Sequence, residues 1–433
     1  KKAAEDGSWK VMFTPMEADG KSYTLCVECG KDKKEYKNLV IGEVWLCSGQ
    51  SNMAFMVKES SHIEQSLANV KGKDIRIYDM KPRVFTDNVE WDSASLVALN
   101  NHDYYRPTTW QLQNEQNVKD FSAVAYHFGA MLADSLGVPV GLICNAVGGA
   151  PAEAYIDRKT LEFHPVLVDI LYNWKENDMI QDWCRGRAKK NIAKSSNNMQ
   201  RHPYEPCFLY ENGIMPIAGY PIKGAIWYQG ESNDFNIPMH EKLFRLLVKG
   251  WRNYWGDDQM PFHFVQLAGL HDRYNWPEFR DSQRKLAAEI EHCEMAVSSD
   301  KADPNDIHPK QKKPIGERLA RLALKYDYGF DIVPCGPMIK DAVLSDGKVV
   351  LDFDFAEGLT TSDAQAARCF EVAGEDGVFV PAEAAIVDGK VVLTSEVNDP
   401  KYVIYAWQGY TTANLVNGEG IPYDHGTMAD LLK

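Results

Sequence analysis

Four short polar clusters carry the reactive chemistry of this sequence, and three of them end an apolar run. Val44–Cys47 leads into Ser48-Gly49-Gln50-Ser51-Asn52, and Val140–Cys144 leads into Asn145-Ala146-Val147-Gly148-Gly149-Ala150. Ala225–Tyr228 leads into Gln229-Gly230-Glu231-Ser232-Asn233. The fourth cluster, Asp306-Ile307-His308-Pro309, falls between the last apolar run and the last helical pattern. Serine, histidine, carboxylate and amide donors are the parts that acyl transfer needs. A serine hydroxyl is a poor nucleophile until a base, usually His, takes its proton. A carboxylate then fixes the imidazole tautomer, and aligned donors stabilise the oxyanion. Ser51 follows the break between a strand and a tight turn, which is how a nucleophilic serine is presented. The Ser51 N–H, the N–H of Gly148 or Gly149 and the Gln229 side-chain amide are the candidate oxyanion donors, with Asn233 beside them for substrate. Glycine suits the second cluster because backbone there must come close to the substrate.

These clusters need a scaffold that brings distant strand ends together. From Val40 to about Gly329, apolar runs (Val44–Cys47, Val140–Cys144, Ala225–Tyr228, Phe262–Leu267, Met295–Val297) alternate with helical patterns. Phe121, Val124, Phe128, Met131 and Leu132 share one helix face, stopped by Gly137. Leu243, Leu246, Leu247, Trp251 and Tyr254 share another, and Ile315, Leu319, Leu322 and Tyr326 a third, ending at Gly329. Such alternation predicts a parallel sheet covered on both faces, with ligands bound beyond the carboxyl ends of its strands. The segment from about Leu161 to Met199 is polar, with a basic patch over Arg185–Lys194, and reads as a solvated helical excursion. Residues 1–40 alternate in a β-like way, with strands expected at Trp9–Phe13 and Tyr23–Val27. The first residue is Lys rather than Met, so a trimmed chain is expected, and 1–40 reads as the remnant of an N-terminal β domain. The catalytic domain is expected over 41–329. Residues 330–433 change texture: Val349–Phe355, Val378–Val380, Lys390–Leu393 and Tyr402–Trp407 are strand-like and divided by Asp-Gly turns, which predicts a β-sandwich-like domain.

Composition bounds the function. The chain has 433 residues, 45% hydrophobic and 25% charged, with a net charge of -14. Such an acidic balance argues against nucleic acid and anionic membrane as partners. No membrane span or signal peptide is visible. Nine scattered cysteines, among them the single Cys26-x-x-Cys29 pair, read as free thiols rather than a zinc or redox site. Gly20-Lys21-Ser22 lacks the first glycine of a phosphate loop, no H-E-x-x-H occurs, and no G-x-G-x-x-G opens a helix. No metal and no organic cofactor are expected. Trp45, Trp227 and Tyr228 read as core; Trp110, Tyr274 and Trp276 are candidates for stacking on a sugar ring. Arg280 and Gln283 read as structural.

Taken together, Gly42–Met53, Phe121–Tyr155, Ile222–Asn233, Pro261–Leu267, Arg280–Gln283, Asp306–Leu319 and the stretch from Tyr405 to Pro422 resemble a known family. It is that of the sialate O-acetylesterases of the SGNH-hydrolase superfamily, related to the acetylxylan esterases of carbohydrate esterase family six. The resemblance implies a flavodoxin-like three-layer α/β domain with a parallel sheet and β-rich flanking regions. It implies Ser51 as nucleophile and His308 as base. Many members carry Asp three residues before the histidine; here that position is Asn305, and Asp306 lies two before. Asp306 and Glu231 are therefore both candidates for the acid. The implied activity is removal of acetyl groups from a carbohydrate through a serine acyl-enzyme. Two alternatives are an acetylxylan or other plant-polysaccharide acetylesterase and a catalytically decayed carbohydrate-binding protein. The implied partner is an acetylated carbohydrate, and the implied location is extracytoplasmic, secreted or periplasmic.

Overall fold

The structure, a computed structural model, describes residues 2–430. Its central sheet is built from the apolar runs. The strands in chain order are β1 (Tyr23–Cys29) and β2 (Asp32–Leu39), then β3 (Glu43–Gly49), β4 (Ile75–Asp79), β5 (Gln111–Leu112), β6 (Val140–Cys144), β7 (Gly224–Tyr228), β8 (Phe262–Val265) and β9 (Met295–Ala296). Seven of them form one sheet in the order β5-β4-β6-β3-β7-β8-β9. All its pairings are parallel except the short edge strand β5 on β4. Side-chain alternation along β3 sends Leu46 to one face of the sheet and Trp45 and Cys47 to the other, into separate buried cores. Strands covered on both faces need no polar alternation, which is why β3, β6 and β7 read as continuous apolar runs.

The covering helices start and stop where their sequence dictates. Ala123–Leu136 begins at Ser122, whose hydroxyl accepts from Ala125 N–H, and ends at Gly137 in the left-handed region. Ile237–Trp255 is capped by Asn236 and ends at Gly256 in the same conformation. Lys313–Tyr326 carries Pro314 in its first turn and lies across Ala123–Leu136.

Two expectations change, and one strand is added. Trp9–Phe13 forms no strand and is exposed; β1 pairs instead with β2 in an antiparallel hairpin. The polar insert is not a solvated excursion: Leu161, Leu167, Ile170, Trp174, Cys184 and Ala188 are buried in the main core. β4 fills a place between β5 and β6 that no apolar run announced. Beyond residue 337 the chain is antiparallel. One four-stranded sheet orders Met338–Ser345, Lys348–Asp354, Lys390–Thr394 and Glu383–Val387. A second orders Val380–Pro381, Phe370–Ala373, Tyr402–Tyr405 and Thr427–Asp430. Their inward side chains make a third core around Leu351, Phe370, Val391 and Tyr405.

Candidate active site

Parallel pairing puts the carboxyl ends of β3, β6 and β7 side by side, and their polar clusters meet there. Gly49 adopts φ +135°, and a Cβ on it would lie 2.2 Å from the Tyr228 carbonyl oxygen. Only glycine lets β3 run that close to β7 before the chain turns into Ser51–Ala54. The two motifs then latch: Gln50 N–H donates to Tyr228 O at 3.0 Å, and Gly230 N–H to Gln50 Oε1 at 3.4 Å.

Ser51 faces His308 across this rim. The Ser51 Oγ and His308 Nε2 are 2.8 Å apart, joining residues 257 positions distant in sequence. The Phe55 ring lies roughly parallel to the imidazole, with centroids 6.4 Å apart. Burial, reinforced by the Lys312 ammonium, lowers the imidazole pKa, while Asp306 and Glu59 oppose the shift. A ring held neutral in this way is in the unprotonated form that a general base requires at near-neutral pH.

The two candidate acids are placed differently. Asp306 Oδ1 accepts the His308 backbone N–H at 2.9 Å and stands 3.9 Å from Nδ1, alongside the imidazole but beyond hydrogen-bonding distance. Glu231 is buried, and burial raises its pKa. Its Oε1 accepts from Asn52 Nδ2 at 2.6 Å, and its Oε2 has no hydrogen-bond partner. The second Asn52 amide contact is to Ile307 O at 3.0 Å, next to His308.

The Gly148-Gly149 turn closes the other side. Val147 N–H donates to Gly49 O at 3.1 Å, tying the turn to the β3 end. Thr86 and Tyr204 hydroxyls donate to Gly148 O at 2.6 and 2.9 Å, and the Ser232 hydroxyl to Gly149 O at 3.0 Å. A trans peptide points its N–H opposite to its C=O, so pinning Gly148 O fixes the direction of Gly149 N–H. Among the described residues, neither the Gly148 nor the Gly149 N–H has a partner. Gln229 is arranged otherwise than expected. Its amide donates to Asn233 Oδ1 at 2.6 Å and to Ala150 O at 3.3 Å, which uses both hydrogens and braces the turn. Asn233 is equally engaged, accepting from Ala152 N–H at 2.9 Å and donating to Glu153 Oε2 at 2.8 Å.

Of the aromatic candidates, Trp276 is buried and donates to Asp234 Oδ2 at 2.6 Å, whereas Tyr274 is 90% exposed. Trp110 packs against Tyr78 and Tyr220. Arg280 and Gln283 are buried and bound to backbone. Sequence reasoning passed over Thr86, Tyr204 and Lys312. The first two sit in loops without a motif, and Lys312 lies in a lysine-rich stretch that reads as solvent-facing. Among the described residues no three His, Cys, Asp or Glu side chains cluster as metal ligands, and no helix is long and apolar enough to cross a membrane.

Comparison with known proteins shows the family. A sialate O-acetylesterase of Mus musculus is 27% identical over 378 residues, covering 80% of this chain and 69% of its own length. That of Homo sapiens is 27% identical over 352 residues, covering 75% and 62%. The chain thus spans roughly two thirds of the length of these relatives. A solved carbohydrate acetylesterase from Xanthomonas citri superposes with a TM-score of 0.78 at 28% identity, covering 99% of this chain and 89% of that one. The family model described as carbohydrate esterase, sialic acid-specific acetylesterase matches residues 41–325, the stretch that holds all four clusters, and the chain belongs to that family.

Proposed function

We propose that the chain is a carbohydrate O-acetylesterase that works through a serine acyl-enzyme on a flavodoxin-like, SGNH-type domain spanning 41–329. The observation that carries this reading is the 2.8 Å approach of His308 Nε2 to Ser51 Oγ. His308 takes the Ser51 proton as Oγ attacks the acetyl carbonyl. The oxyanion is met by the N–H groups of Ser51, Gly148 and Gly149. The imidazolium returns its proton to the departing sugar hydroxyl, which leaves an acetyl ester on Ser51. His308 then deprotonates a water, which releases acetate and regenerates the hydroxyl. Asp306, the carboxylate beside the ring, takes the role of the acid. The proposed substrate is an acetylated sialic acid, after the names of the mouse and human relatives, and the proposed site of action is extracytoplasmic.

Ser51→Ala tests this directly. Turnover of an aryl acetate is expected to fall by at least about a thousandfold with the circular dichroism spectrum unchanged. Retained turnover overturns the mechanism. Acetate release by the wild-type chain, measured across acetylated sialic acids, xylan oligosaccharides and simple sugar acetates, then ranks the sugars. Release from none of them supports a carbohydrate-binding role instead.

A further inference from the structure

Lys312 is a buried lysine beside the reacting groups, and acyl transfer as derived above makes no use of it. The residue is 1% exposed, in the loop that delivers His308. The ammonium donates to Asn52 Oδ1 and sits 4.8 Å above the Phe55 ring and 5.5 Å from the Tyr228 ring. The other end of the Asn52 amide donates to Glu231 Oε1 and to Ile307 O. One carboxamide therefore stands between a buried ammonium and a buried carboxylate, and its flanking residue on the chain is Ser51. Burial disfavours an isolated charge at either position, so each stabilises the other through Asn52.

We propose that Lys312 is a positioning residue of the hydrolytic site, holding Asn52 so that Ser51 and the His308 loop stay in register and setting its charge over the Phe55 ring, against which the His308 imidazole also lies. The inference rests on the esterase reading above. Every contact of the Asn52 amide then has a purpose: Ile307 O fixes the histidine loop, Glu231 balances the charge, and Lys312 fixes the amide's orientation. The charged groups facing this pair are Glu59 from the turn after Ser51, Glu231 from the end of β7, and Asp306 on the same loop. Burial lowers the Lys312 pKa to about 7, with Glu231 and Asp306 opposing. Below that pH the ammonium is charged and disfavours a second positive charge on His308.

Two variants separate the two roles on an aryl acetate, with Ser51→Ala run alongside. Lys312→Gln keeps a donor for Asn52 and removes the charge. The acid limb of its kcat/KM profile is expected to move up by about half to one pH unit, a three- to tenfold tighter hold on the His308 proton. Lys312→Met removes the donor as well. Its plateau kcat is expected to fall about tenfold further than that of Lys312→Gln, with KM changed less than about threefold. An unshifted acid limb in Lys312→Gln overturns the proposal, and this variant answers even if Lys312→Met does not fold. Equal plateaus in two folded variants overturn it too. An inert Ser51→Ala alongside either result leaves the esterase reading standing, whereas an active Ser51→Ala removes its foundation.

Discussion

At the scale of single residues, the Gly148-Gly149 turn has the least room for change. Gly149 adopts φ +70°, and a Cβ there would lie 2.2 Å from the Tyr204 hydroxyl that holds Gly148 O. Gly149→Ala must therefore either strain the backbone or push Tyr204 away, and both rotate the peptide whose N–H is proposed to meet the oxyanion. Unfolding measurements are expected to show a loss of about 1–3 kcal/mol. Esterase kinetics on the same variant are expected to show kcat/KM down by more than about tenfold. Wild-type kinetics in a folded Gly149→Ala chain contradict the role given to this turn. The two acids are separated by a similar comparison. Asp306→Asn removes the carboxylate 3.9 Å from Nδ1 and is expected to cost about a hundredfold or more in kcat. Glu231→Gln keeps an acceptor for Asn52 and is expected to cost less than about tenfold. The reverse order in steady-state kinetics transfers the role of the acid to Glu231.

At the scale of elements, the site depends on how the Lys313–Tyr326 helix seats on Ala123–Leu136, because the loop with His308 and Lys312 ends where that helix starts. Gly316 makes the seating possible: a Cβ there would lie 2.5 Å from Val124 O and 2.9 Å from Phe128 N, backbone that has nowhere to go. Gly316→Ala is expected to cost about 1–3 kcal/mol in denaturant unfolding despite alanine's better helix propensity. It should also lower kcat, by moving His308 away from Ser51; unchanged stability contradicts the close packing. The physics of these elements also explains what the sequence disclosed. β3, β6 and β7 were legible because double burial leaves apolar runs that end sharply in polar clusters. β4, with the sequence Ile75-Arg76-Ile77-Tyr78-Asp79, sits next to the short edge strand β5, so it keeps polar residues and lacks that signature. The insert hid its core residues because short helices and turns give them no regular period. The meeting of Ser51 and His308 was legible from residue chemistry and family resemblance. Lys312 was not, because a lysine's burial is decided by the fold around it.

At the scale of the whole molecule, the C-terminal β region and the helix Trp276–Glu289 are held together by polar contacts in a buried seam. Gln266 Nε2 donates to His425 O at 3.1 Å, Arg280 reaches Gln408 O, and Arg284 reaches Met428 O at 3.3 Å. Among the described residues, Asp424 lies in this seam with no cation to itself. Arg284 already grips Asp281 Oδ1 at 2.8 and 3.0 Å, so the second carboxyl gains little from it. Burial pushes the Asp424 pKa up to about 7 from an ordinary value of 3.8. Between about pH 4 and pH 7 the folded chain thus keeps a proton that the unfolded chain releases. Stability therefore falls as pH rises through that window, and the loss is complete above pH 7. Asp424→Asn removes this penalty without changing the shape of the side chain. Its melting temperature relative to wild type is expected to be several degrees higher at pH 8 than at pH 4.5, a differential of about 2–4 kcal/mol. A constant offset between those two pH values means that Asp424 is ionised in the seam, with Arg284 then serving two carboxylates rather than one. Because the seam joins the β region to the helix that follows β8, the same titration reports on the contact between the outer sheets and the part of the chain that carries Ser51.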